Sequence, residues 1–86
     1  SVGSGWGTFA QRRQGGRWEA TLGVDYGALS LRTLSLGSVA GVRSVRAALD
    51  GRPLAARLAA TEGGVRVTFA EEVQIPAGAR LLLTLE

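Results

Sequence analysis

Val45-Arg46-Ala47-Ala48-Leu49-Asp50-Gly51-Arg52-Pro53-Leu54 reads as a β-hairpin and sets the pattern for the rest of the chain. Val45, Ala47 and Leu49 alternate with Arg46 and Ala48, the period of a strand with one face turned inward. Asp50-Gly51 then supplies two residues that tolerate positive φ, which a tight hairpin turn requires. Pro53 has no N–H to give and limits hydrogen bonding at the start of the return strand. Leu54, Ala56, Leu58 and Ala60 resume the alternation as far as a turn at Glu62-Gly63-Gly64. A short Ala-rich helix with Arg57 on its polar face is the alternative for Leu54–Thr61. The hairpin signals at both ends favour a strand.

The same rhythm continues in both directions. Downstream, Val65, Val67 and Phe69 face inward, with Arg66 and Thr68 outward. Glu71-Glu72 introduces a short segment holding Val73 and Ile75, Pro76-Ala77-Gly78 turns, and Leu81, Leu83 and Leu85 share one side of a last strand. Upstream, Gly37–Gly41 is a loop of small residues before the strand that begins at Val42. In Ala28–Leu36, Leu29 and Leu31 fall out of phase with Leu34 and Leu36. A β-bulge near Arg32-Thr33 explains that shift, as does a strand buried on both faces; the polar Ser30, Arg32 and Ser35 favour the bulge. Tyr26-Gly27 reads as a corner. Before it, Trp18, Ala20, Leu22 and Val24 share one face of a strand, while Glu19, Thr21 and Gly23 form a face that is wetter or meets a partner. Gln14-Gly15-Gly16 reads as a turn, preceded by a strand over Trp6–Arg13 with Trp6 and Thr8 opposite Phe9.

This pattern predicts an all-β chain: a small antiparallel two-sheet β-sandwich of immunoglobulin-like or jelly-roll type, with seven to eight strands. Residues 6–86 form the single domain and residues 1–5 a flexible segment or linker remnant. The expected core is Phe9, Trp18, Leu22, Leu31, Leu34, Leu36, Val45, Leu49, Leu58, Val67, Phe69, Ile75, Leu81, Leu83 and Leu85.

Composition narrows the chemistry. The 86 residues suffice for one small domain, and His, Cys, Met, Lys and Asn are all absent. Without His or Cys the usual zinc, haem and iron–sulfur ligands are missing, as are Ser–His and Cys–His nucleophilic pairs, and no cofactor is expected. Without an initiating Met, the chain reads as a processed or excised piece of a longer protein. All 10 basic residues are Arg, against 7 acidic ones, for a net charge of +3. They are spread along the chain, which fits a solvated surface and a GC-rich genome better than a nucleic-acid footprint. The longest run of Leu, Leu81–Leu83, is far too short to span a bilayer as a helix, and a membrane partner is not expected.

Few residues carry a specific chemical signal. Glu71 and Glu72 are the only adjacent carboxylates, and consecutive strand positions point to opposite faces, so they read as a solvated strand edge rather than an acid–base pair. Asp25 beside Tyr26 reads as a corner Asx-turn. Gly3, Gly5 and Gly7 lack the following helix that a phosphate loop needs. Trp6, Phe9, Trp18 and Tyr26 remain as candidates for an interface or for a platform that stacks on sugar rings.

Three stretches carry a resemblance: Gly5-Trp6-Gly7-Thr8-Phe9-Ala10-Gln11-Arg12, Gly16-Arg17-Trp18-Glu19-Ala20, and Tyr26-Gly27-Ala28-Leu29-Ser30-Leu31-Arg32-Thr33-Leu34. Together with Val42-x-x-Val45, Leu49-Asp50-Gly51 and Ile75-Pro76-Ala77-Gly78, the chain resembles a C-terminal β-domain of bacterial glycoside hydrolases similar to non-lysosomal glucosylceramidases and bile-acid β-glucosidases. The resemblance implies catalytic carboxylates in an (α/α)-barrel outside these residues, so no active-site role transfers to any position here. The expected function is therefore that of a non-catalytic accessory domain of a larger carbohydrate-active enzyme, packing on a neighbouring domain. Isolated from it, such a domain exposes an apolar patch or forms a homodimer. The alternatives are a stand-alone carbohydrate-binding module using Trp6, Trp18 or Tyr26, and, more weakly, Arg-mediated nucleic-acid binding.

Overall fold

The computed structural model of the chain describes residues 5–86, and side chains from residue 7 onward. The expected linker segment thus lies, but for Gly5, outside the described residues. Seven strands, β1 (Gly5–Gln14), β2 (Arg17–Gly37), β3 (Val45–Leu49), β4 (Arg52–Leu54), β5 (Ala56–Thr61), β6 (Gly64–Pro76) and β7 (Arg80–Leu85), account for 78% of these residues. All pairings are antiparallel, and the sheet runs in the order β4-β3-β7-β2-β6-β5, with β1 added to β2. The sheet rolls up until its ends nearly meet, giving a barrel-like form. β5 lies against β3, and the Ala70 N–H donates to the carbonyl of Ala55, the residue joining β4 to β5 (3.0 Å).

The turns form where Gly, Asp and Pro place them. Gly15 has φ +65° in the two-residue loop between Gln14 and Arg17, the conformation that glycine adopts at the first position of a type II′ turn. Asp50 and Gly51 both have positive φ (49° and 83°), the signature of a type I′ hairpin. Asp50 also fastens that turn to β7. Its Oδ1 accepts from the Arg80 N–H and its own N–H donates to the Arg80 carbonyl, both at 2.9 Å.

β2 organises the molecule. Its first half pairs with β1 on one side and β7 on the other, and its second half pairs with β6. The expected corner at Tyr26-Gly27 does not exist, because the strand runs straight through it. Asp25 is instead an extra residue between the Gly7–Val24 and Trp6–Tyr26 pairs, and Gly27 takes φ +73°. This bulge moves the inward phase from Val24 to Leu29 and Leu31. The shift expected near Arg32-Thr33 is present as a second irregularity, where Leu31 pairs with Val73 but Thr33 with Thr68. Residues 69–72 of β6 therefore bow out opposite Arg32. The Arg32 guanidinium compensates, donating to the carbonyls of Phe69 (Nε, 3.3 Å) and Ala70 (3.0 Å). Because β6 returns in phase after the bow, Val73 and Ile75 belong to the same strand as Val65, Val67 and Phe69.

The core contains Val24, Val67, Phe69, Ile75, Leu81, Leu83 and Leu85, each at most 2% exposed. Trp18, Leu22, Leu34, Val45, Leu49 and Leu58 pack on it while only partly buried. Small side chains complete it: Ala20, Ala47 and Ala79 are buried, as is Val39 from the loop. Phe9, expected in the core, is 46% exposed. It pairs with Leu22, which packs on the core, but it sits on β1, which among the described residues has β2 as its one strand neighbour.

Candidate docking surface

Five strands lie side by side where β2 joins β1, β7, β3 and β4. Their pairing aligns Ala10 with Thr21, Thr21 with Leu82, Leu82 with Ala48, and Ala48 with Pro53. Opposite residues of a ladder share a face, so these five side chains form one uncharged row across the outside of the sheet. At about 4.8 Å per strand the row spans roughly 19 Å. Leu82 stands at its centre and is 42% exposed.

Charged and polar rows flank it. On one side Arg12, Glu19, Thr84 and Arg46 align across β1, β2, β7 and β3. Arg12 meets Glu19 at 3.1 Å and Arg46 meets Glu86 at 3.3 Å. On the other side lie Thr8, Gly23 and Arg80, with the Thr8 hydroxyl donating to Asp25 at 3.1 Å. Asp25 is thus a strand residue held by β1, not the cap of a corner. A small apolar centre with a charged rim is the anatomy of a surface that packs on another protein.

The sheet's seam adds a shallow cleft of about 580 Å³, lined by Val45, Ala47, Leu54, Ala56, Leu82 and the Arg17 side chain, among others. The Arg17 Nε is buried there without a hydrogen-bond partner. A second cleft, about 420 Å³, opens where β6 bows out beside β4 and β5. Glu71 and Glu72 line it, and both are exposed on the bowed segment.

The four aromatic candidates are not gathered into one platform. Trp18 is half-buried against the core, with the Arg13 guanidinium 6.0 Å from its ring centre. Tyr26 is 70% exposed on the same strand, eight positions away, or about 26 Å of extended chain. Phe9 stands between them beside Leu22. The Trp6 side chain lies outside the described residues, although its backbone pairs with Tyr26. The Leu82 row was not among the sequence candidates. Its signal was present in Arg80–Leu85, where an apolar residue occupies an outward position that alternation reserves for polar ones.

Comparison of the chain with protein-family models, curated proteins and solved structures finds no match.

Proposed function

We propose that this chain is a non-catalytic accessory β-domain of a larger, carbohydrate-active bacterial protein, and that it packs on a neighbouring domain through the outer face centred on Leu82. The carrying observation is the uncharged row Ala10, Thr21, Leu82, Ala48 and Pro53 between its charged flanks. A sheet face that merely met water would carry polar side chains at these outward positions. The proposal takes the rolled sheet as a flattened two-layer sandwich, with the two halves of β2 serving opposite layers. The bulge at Asp25 supports this by separating the half that pairs with β1 and β7 from the half that pairs with β6.

The alternative, a carbohydrate-binding module, is favoured by one observation, the exposure of Tyr26. One ring can stack on one sugar, but binding by stacking gains from several coplanar rings. Trp18 and Tyr26 are too far apart to flank a single residue of a glycan.

Two measurements decide between them. In the full-length parent protein, Leu82→Arg is expected to uncouple this domain, so that one cooperative thermal transition becomes two. An unchanged single transition overturns the docking reading. Titration of the isolated chain with soluble oligosaccharides is expected to leave Trp fluorescence without a saturable change. A saturable quench, lost on Tyr26→Ala or Trp18→Ala, establishes the binding module instead.

A further inference from the structure

We propose that the outer edge of β1 is a self-association site, pairing antiparallel with β1 of a second copy of this chain. Among the described residues β1 is hydrogen-bonded only to β2, so its other edge presents backbone groups that none of them pairs along Gly5–Gln14. The two-residue loop fixes which residues these are. Gln14 and Arg17 close the hairpin as a hydrogen-bonded pair, and so Arg12, Ala10 and Thr8 also direct their N–H and C=O groups at β2. The intervening Gly7, Phe9, Gln11 and Arg13 direct theirs outward.

Among the described residues the other edges are short or interrupted: β4 has only 3 residues and contains Pro53, β5 lies against β3, and the side of Ala28–Gly37 in β2 away from β6 is broken by the irregularity at Arg32. Gly7-Thr8-Phe9-Ala10-Gln11 has no charge and no proline, two of the devices that ordinarily keep an edge from pairing, and the cations Arg12 and Arg13 stand at one end of the strand.

Charge selects the occupant and its direction. A parallel copy would stack Arg12 on Arg12 and Arg13 on Arg13. An antiparallel copy centred on Ala10 sets Arg12 of the second copy opposite Thr8, whose hydroxyl is bonded to the Asp25 carboxylate. Each Arg12 then approaches an Asp25 across the new ladder, twice by symmetry. On the inner face Phe9 lies opposite Gln11 of the second copy and diagonal to its Phe9, about 7–8 Å away and within reach of an aromatic ring. On the outer face the two Ala10 residues meet at the axis. The two uncharged rows join into a single face of ten strands.

This pairing uses the edge of β1 and stands independently of docking through Leu82, so different variants break the two. Sedimentation equilibrium of the isolated chain is expected to move from 8.9 kDa toward twice that mass as concentration rises. Amide exchange at Phe9, Gln11 and Arg13 slows over the same range, while exchange at Thr8, Ala10 and Arg12 does not change. Phe9→Pro removes one outward N–H, and Phe9→Lys places like charges beside the axis. Each is expected to weaken dimerisation at least tenfold with an unchanged far-ultraviolet circular dichroism spectrum, whereas Leu82→Arg leaves it intact. A single 8.9 kDa species at every concentration overturns the proposal, as does a dimer that survives both Phe9 variants or is lost in Leu82→Arg.

Discussion

β1 and β7 flank the same half of β2, yet they have opposite relations to the core. On the inner face Leu22 lies between Leu81 and Phe9, Ala20 between Leu83 and Gln11, and Trp18 between Leu85 and Arg13. The three β7 residues are at most 1% exposed, whereas Phe9 is 46% exposed and Arg13 lies in solvent. All six side chains point the same way. The difference lies in their neighbours: β7 is paired on both sides, with β2 and β3, whereas β1 among the described residues is paired with β2 alone. Alternation therefore decides which face a side chain occupies, and tertiary context decides whether that face is inside. A strand joined to the sheet on one side only, through its ladder and the side-chain bonds of Thr8, Gln11 and Arg12 to β2, is also free to use its surface for something other than stability.

Substitutions can break that contrast. Leu83→Ala removes a fully buried side chain and is expected to cost about 2–5 kcal/mol in urea unfolding, much of the stability of so small a domain. Gly64 and Gly7 offer a matched pair of smaller effects. A Cβ at Gly64 would collide with the Leu36 carbonyl, and one at Gly7 with the Gly23 carbonyl. Gly64→Ala opens the β2–β6 ladder and is expected to lower global stability by about 1–3 kcal/mol. Gly7→Ala is expected to speed amide exchange in β1 while leaving the global transition in place. Equal losses of global stability would show that β1 belongs to the cooperative core.

Arg32→Ala tests the join between β2 and β6. It leaves the Phe69 and Ala70 carbonyls to water, and a loss of about 1–2 kcal/mol is expected, since hydrogen bonds from a charged donor exceed neutral ones. The smallest effect belongs to Phe9→Ala, expected to change unfolding free energy by less than about 0.5 kcal/mol, as for most surface positions. A cost resembling that of Leu83→Ala would show that the Phe9 ring is covered in solution.

Much of this architecture was legible in the sequence because its turns follow local rules. Asp50-Gly51 and Gly15 tolerate the positive φ that a two-residue hairpin turn requires, and the phase change at Arg32 follows from counting leucines. Tyr26-Gly27 misled for the opposite reason. A glycine with positive φ ends a strand or absorbs a bulge within one, and only the partner strand determines which. Ala20, Ala47 and Ala79 were passed over because small residues give little hydrophobic signal, although close-packed interiors need them between larger neighbours. The Leu82 row depends on the register of five strands from distant parts of the chain. No local window contains it.

β2 has a consequence for how the chain matures. Its first half is completed by β7, the last strand of this sheet in chain order, and Leu81, Leu83 and Leu85 fill the centre of the barrel. A nascent chain can form the β1–β2 hairpin early, through its two-residue turn, but that hairpin must wait for some sixty further residues before its inner face is covered. During that interval Trp18, Leu22 and the open edge of β1 are presented together to the surroundings. The segment best placed to recognise another copy in the finished molecule is thus also exposed while the rest of its own sheet is still forming, which is when mispairing there carries its greatest hazard.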